Sequence, residues 1–252
     1  RCPARGHRGF SSLGFPLTFL LVSRLCALLL LFSLCLGGVV LGVFRQVTLG
    51  ACLGDGDHHG RAFHLLEALQ VRFGLQQGAE ITLEMDPASF DQDQLMAVLA
   101  AGVNRISLGG QSFDDAVLID LGRRHRRADL LEACRWMHAA HQDGDLQSWS
   151  LDLIQNLPGQ TRLAWEQQLA QAIAMDSPHV SVYDLSVEPG TVFERRQQRG
   201  ELDLPEEELA AELMALTSDH LGAAGLGRYE ISNHARPGHA SRHQVTPPDT
   251  SH

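Results

Sequence analysis

From residue 61 onward the apolar and polar positions fall into alternating helical and extended patterns. RAFHLLEALQVRFGL (61–75) sets leucines and aromatics at helical spacing and breaks at Gly74. EITLEMDP (80–87) predicts a short strand with a polar exit, closed by Pro87. FDQDQLMAVLAA (90–101) predicts an amphipathic helix stopped by Gly102. VNRISLGGQS (103–112) reads as the next strand. Helical segments follow over 113–122 and 126–141, the second with Leu130, Leu131, Cys134 and Met137 on one face. WSLDLIQNLPG (149–159) is a strand running into a Pro-Gly turn, and Thr161 is placed to cap the helix TRLAWEQQLAQAIAM. HVSVYDLSVEPG (179–190) predicts a fourth strand. The helix over 205–225 has proline at its start, acids in its first turn and glycine at its end. RYEIS (228–232) predicts a fifth strand, and the tail over 236–252, rich in proline, serine and histidine, reads as loose.

Strands that alternate with helices indicate βαβ units and a parallel sheet. Doubly wound sheets and (β/α) barrels both satisfy that order. The strand exits favour the barrel. Each apolar strand ends in polar groups: Glu84 and Asp86, Gln111 and Ser112, Asp152, then Asp184 and Glu188. Polar side chains converging from several strand ends are what a barrel-type site requires. A dinucleotide-binding sheet would carry GxGxxG in its first βα turn, and that pattern is absent there. About five strands are too few to close an eight-stranded barrel, so the expected architecture is α/β, a partial barrel.

Charge and cysteine usage divide the chain. The formal charge is −10, yet residues 1–52 carry five arginines and no acid. Residues 25–44 are an uncharged stretch of membrane-spanning length between Arg24 and Arg45. The expected organisation is therefore an apolar segment foreign to the barrel over 1–60, a barrel core over 61–235, and a loose tail over 236–252. An acidic body excludes the basic face that a nucleic-acid grip needs. The cluster RRHRR (123–127) is the local exception, read as a solvated patch for most of its members. Four of five cysteines precede residue 60, which leaves Cys134 alone in the body and no disulfide framework there. A reducing, cytoplasmic setting is expected, with a membrane partner only if residues 25–44 are an anchor. His138 and His141 stand three apart on a helix with no acid or cysteine partner, so no metal site is expected from them.

The candidate chemistry lies at the rim. Glu84 can accept hydrogen bonds from a ribose or an ammonium group. Gln111 follows two glycines that would let a ligand approach the backbone, and its amide both donates and accepts. Arg123 can pair with a carboxylate, from the protein or a ligand. Asp152 sits in the middle of an apolar strand, where an unpaired charge is costly.

EMDP, AGVNRISLGGQSFDD, LGRRH, LDLIQNLPGQT, YDLSVEPGT and YEISNHARPG occur in that order over roughly residues 61–243. Together they closely resemble radical S-adenosylmethionine (SAM) proteins of the oxygen-independent coproporphyrinogen III oxidase family, above all the heme-chaperone branch. The resemblance implies a partial (β/α)6, TIM-like barrel of the radical SAM type. It implies SAM held by Glu84, Gln111, Arg123 and Asp152, with heme or a porphyrin as the molecule handled and a heme-receiving protein as a possible partner. It also implies a [4Fe–4S] cluster on three cysteines spaced CxxxCxxC. That spacing does not occur in this sequence, nor does the glycine-rich GGGTPS segment that meets the SAM amino group. Asn156 stands where the family has glycine, and Gly110 where it has valine. Three readings remain open at this stage: heme chaperone, coproporphyrinogen oxidase-type enzyme, and membrane-anchored binding module. An unrelated barrel enzyme using Glu84 and Asp152 as acid and base is disfavoured by the six ordered motifs.

Overall fold

A computed structural model describes residues 44–49, 66, 68, 71, 74–187 and 189–242. Most of the expected helix over 61–74 lies outside the described residues, although positions 66, 68 and 71 are helical. Also outside them are the apolar stretch up to residue 43, residues 50–60, Glu188, and the tail from residue 243. The chain divides into two compact units, 1–42 and 43–252, and the described residues all belong to the second.

The described residues of the second unit form one seven-stranded sheet in the order β1-β2-β3-β4-β5-β7-β6, with helices between the strands. The strands are β1 (Phe44–Leu49), β2 (Leu75–Met85), β3 (Arg105–Gln111), β4 (Ser148–Gln155), β5 (His179–Asp184), β6 (Gly227–Arg228) and β7 (Asn233–Ala235). The first five pair in parallel, each with its successor. β7 pairs antiparallel with both β5 and β6. Besides the helical positions 66, 68 and 71, the helices among the described residues are α1 (Gln92–Ala100), α2 (Asp115–Asp120), α3 (Arg127–Gln142), α4 (Arg162–Ala174), α5 (Val192–Gln198) and α6 (Glu207–Ala223). This is the α/β layout of a partial barrel that the strand–helix alternation predicts.

Local chemistry explains most boundaries. Asp91 closes a capping box with Gln94 at the start of α1. Thr161 caps α4 as expected, its hydroxyl accepting from the Ala164 N–H at 3.2 Å. Gly102 takes φ 107°, a left-handed turn that suits glycine after a helix.

Three features differ from the sequence pattern. Phe44–Leu49 forms β1 and pairs with β2, although it lies on the far side of the border expected at residue 60. Next to an uncharged run, FRQVTL carries no alternation clear enough to stand out. The segment 228–232 is no continuous strand; β6 ends at Arg228 and β7 begins at Asn233, with a tight turn between them. The Asn233 N–H donates to Glu230 O at 3.3 Å across that turn. Two short strands joined by a turn look like one longer apolar run to any period count. Finally, α5 lies in a stretch too short and too charged to give a helical period.

The strands of β2–β5 are two-faced, which fixes where a site can be. Leu83, Ile106, Leu108, Trp149, Leu151, Leu153, Val180 and Val182 are buried in the main apolar core. Leu130, Cys134 and Met137 of α3 and Trp165 and Leu169 of α4 belong to the same core. The alternate positions are polar: Thr82, Glu84, Arg105, Ser107, Ser150, Asp152, His179, Ser181 and Tyr183. With a side-chain period of two, those residues occupy the sheet's other face.

Candidate functional site

Strand register stacks the polar face into rows. Glu84 is beside Ser107, Ser107 beside Ser150, and Ser150 beside His179. One row further toward the carboxyl ends, Gly109 pairs with Asp152 and Asp152 with Ser181. Above them opens a cavity of about 440 Å³, the size range of small-molecule sites. Its wall includes Glu84, Asp86, Ser107, Gln111, Arg123 and Asp152. All four residues singled out from sequence therefore meet at one cavity, and Asp86 and Ser107 join them.

The double glycine has a structural use of its own. A Cβ at Gly109 would come within 3.0 Å of the Arg123 guanidinium and 3.1 Å of the Gln111 amide nitrogen. A Cβ at Gly110 would meet side-chain methyls of Leu151 at 2.8 Å and Leu130 at 3.1 Å. Gly109 thus admits the protein's own cavity residues, and Gly110 admits its core. After them the register of β3 shifts and Gln111 takes φ 62°. That irregularity re-aims the strand end and sets the Gln111 amide on the cavity wall.

Arg123 is held rather than solvated. It pairs with Asp86 at 3.1 Å and donates to Gly109 O at 3.4 Å. The adjacent His125 is completely buried, with Nδ1 3.4 Å from Asp86 and Nε2 3.1 Å from Gly110 O. Burial opposes the Asp86 charge, but His125, the Ala88 N–H and Arg123 outweigh it and hold the carboxyl below its ordinary range. Arg123 turns inward as its expected carboxylate pairing requires, whereas for His125 the solvated-patch reading fails, because its ring is buried at the ends of β2 and β3. An isolated histidine among arginines gives no sequence signal of that burial.

Asp152 is the most elaborately supported acid. Its Oδ1 accepts from the Ser150 hydroxyl at 2.7 Å and its Oδ2 from the Ser107 hydroxyl at 2.5 Å. Burial pushes its pKa up, against the pull of the Ser107, Ser150 and Ser181 hydroxyls and of Arg105. The serines were invisible as site residues from sequence, since serine alternating with apolar positions fits any half-exposed strand.

His138 is partly exposed and lies 3.8 Å from Asp176, away from the cavity. Cys134 is buried in the core, where desolvation pushes its thiol up to about 12. Among the described residues no group of three or more histidine, cysteine or acidic side chains is placed to hold a metal ion. Among them, too, no helix is long and apolar enough to cross a membrane.

Residues 45–169 match the Radical SAM superfamily, and that span covers β2, β3 and β4, the strands whose residues line the cavity. The chain belongs to the radical SAM superfamily. It is 43% identical over 179 residues to the heme chaperone HemW of Synechocystis, covering 71% of this chain and 42% of that protein. It is 38% identical over 168 residues to HemW of Bacillus subtilis, covering 67% of this chain and 43% of that one. It is 40% identical over 182 residues to a mitochondrial radical S-adenosyl methionine domain-containing protein of Bos taurus, covering 72% and 40%. The radical SAM chain thus spans about two fifths of the length of these relatives. Among solved structures, coproporphyrinogen III oxidase (HemN) of Escherichia coli superposes with a TM-score of 0.67 at 23% identity, over 78% of this chain and 44% of that one. That likeness is one of fold.

The donor set fits one of the family's groups and not the other. A guanidinium, an amide and several carboxylates around one cavity suit the carboxylate, ammonium and ribose of SAM. The described thiol does not suit a [4Fe–4S] cluster: Cys134 is protonated and packed in the core. The remaining cysteines, outside the described residues, lack the CxxxCxxC spacing.

Proposed function

We propose that this chain is the SAM-binding portion of a HemW-like heme chaperone. The observation that carries the reading is the convergence of Glu84, Gln111, Arg123 and Asp152 on one cavity of about 440 Å³, in a chain 43% identical to a HemW protein. In this reading Asp152 and Glu84 accept from the ribose hydroxyls and the ammonium group. Gln111 bridges polar groups of the ligand by donating and accepting at once. Arg123, oriented by Asp86, attracts the ligand's carboxylate. SAM would bring a sulfonium, a ribose and an amino-acid end into the cavity. Heme handling and delivery to a receiving protein belong to the whole protein of which these residues supply a part.

SAM binding tests the reading. Without cluster ligation, affinity should be weak, on the order of millimolar or ~4 kcal/mol, and within reach of ligand-observed NMR. Asp152→Ala should abolish the transfer signal, whereas His138→Ala, on the far helix, should leave it intact. Equal effects of the two changes would remove the site assignment. Heme handling is read separately by titrating hemin into the full chain and following its absorbance; no spectral change would take heme away from these residues.

A further inference from the structure

Behind Asp152 the polar face continues as an unbroken chain of hydrogen bonds that the SAM reading does not use. Ser150 Oγ donates to Asp152 Oδ1 at 2.7 Å. His179 Nδ1 lies 2.8 Å from Ser150 Oγ, and His179 Nε2 lies 2.7 Å from the Tyr229 hydroxyl. Ser150 and His179 are buried, at 3% and 1% exposure, while Tyr229 is only half-buried. Neither buried member lines the 440 Å³ cavity; both border a separate small cavity of about 70 Å³ on the same polar face.

Proton counting orders the chain. An ionised Asp152 only accepts, so the single hydroxyl proton of Ser150 points to it. Ser150 Oγ must then accept from His179, which requires the proton on Nδ1. A neutral imidazole has one N–H, so Nε2 is bare and accepts from the Tyr229 O–H. Tyr229 Oη is meanwhile an acceptor for the Ser241 N–H at 3.1 Å, which leaves its own proton to face Nε2. Burial, together with Arg105, His234 and His239, lowers the His179 pKa to about 3, so the ring is neutral throughout the working range.

We propose that Tyr229, His179 and Ser150 form a proton relay that sets the charge of Asp152 from the side of the barrel remote from the cavity, with His179 as its positioning residue. Each hop balances. The Tyr229 O–H bond breaks as Nε2–H forms, Nδ1–H breaks as a new Ser150 O–H forms, and the old Ser150 proton becomes the proton of Asp152. The tyrosinate left behind is reprotonated by a hydronium ion of the solvent, which becomes water. The net change is one proton gained by Asp152 and a switch of His179 from the Nδ1–H to the Nε2–H tautomer. The groups facing the relay are Glu84 and Glu80 from β2, Arg105 and Ser107 from β3, Ser181 from β5, His234 from β7, Glu230 and His239 from the loops, and Arg123 across the cavity. The relay draws its significance from the reading of Asp152 as a SAM contact, because a protonated Asp152 accepts less from a ribose or an ammonium group.

The relay is tested without SAM, so its failure is distinct from failure of the binding site. In the full chain, ¹⁵N spectra of the His179 ring and the ¹³C shift of the Asp152 carboxyl are followed from pH 8 downward. The two should move with one shared midpoint, the ring passing from Nδ1–H to Nε2–H as Asp152 gains its proton. A ring that keeps one tautomer through the Asp152 titration overturns the proposal on the unaltered protein alone. Asp152→Asn should freeze the ring in one tautomer over the same range, and a surviving switch would sink the idea. Ser150→Ala should separate the two midpoints; if they stay together, Ser150 is no part of the path.

Discussion

At Asn156 the backbone turns at φ 60°, a conformation that glycine adopts freely and asparagine more readily than other side chains. The family's glycine and this chain's asparagine therefore answer the same demand. Asn156 adds a bond, its side-chain amide donating to Asp184 at 2.8 Å. Asn156→Ala should destabilise the chain by about 1–3 kcal/mol through strain and the lost bond, and Asn156→Gly by less, as read from urea midpoints. Gly110 poses the opposite case. The leucine methyls that crowd its missing Cβ fill the space that a valine would need. Gly110→Val should cost about 1–3 kcal/mol, and Leu130→Ala in the same chain should recover part of that through non-additivity.

At the scale of elements, β1 changes where the domain begins. It runs parallel to β2 from Phe44 to Leu49, so a chain starting at Arg61 would leave one edge of β2 without its partner. A chain starting at Val43 should keep a higher urea midpoint than one starting at Arg61; equal midpoints would show that β1 adds nothing to the sheet. The helices on the apolar face are tied to the strands by polar bonds as well as by packing. Trp165 Nε1 of α4 donates to Thr217 Oγ1 of α6 at 2.8 Å, and Thr217 lies 3.0 Å from Gln155 Oε1 of β4. Thr217→Val keeps the shape but leaves the indole N–H buried without an acceptor. It should cost about 1–3 kcal/mol, while Thr217→Ser should cost less.

For the whole molecule, two buried histidines set the response to acid. His179 is lowered from 6.5 to about 3 and His234 to about 4, chiefly by burial. Between those values and 6.5 the unfolded chain binds protons that the folded chain does not, so stability falls as pH falls. His179 alone should remove roughly 2 kcal/mol between pH 7 and pH 5. Asp152, whose pKa is raised, works against this: its folded state gains protons first, so acidification relieves its buried charge. Asp86, held low, keeps its contribution above the ordinary carboxylate value of 3.8 and loses it as pH falls below that. Denaturation midpoints across pH should fall below pH 6.5, and His179→Gln should flatten that slope. A separate expectation concerns iron. Anaerobic reconstitution of the full chain should leave no stoichiometric [4Fe–4S] cluster, and about four irons per chain with matching sulfide would overturn it.

The alternation of strands and helices, the cap at Thr161, the glycine stops and the rim residues Glu84, Gln111, Arg123 and Asp152 were all readable along the chain. Each depends on neighbours a few residues apart, or on polar residues interrupting an apolar strand. Six ordered motifs carried the family. What the chain could not show in one dimension was pairing between distant segments. That β1 joins the sheet depends on its register with β2, and that 228–232 breaks into a hairpin depends on β7 finding β5. Ser107, 45 residues away, becomes a support of Asp152 only because parallel register sets β3 beside β4, whereas Ser150 shares a face with it through the strand's own period of two. His125 and His179 look like any other histidines until the sheet buries them. Local pattern depends on backbone geometry that every segment carries with it, whereas burial and register exist only once the segments have met.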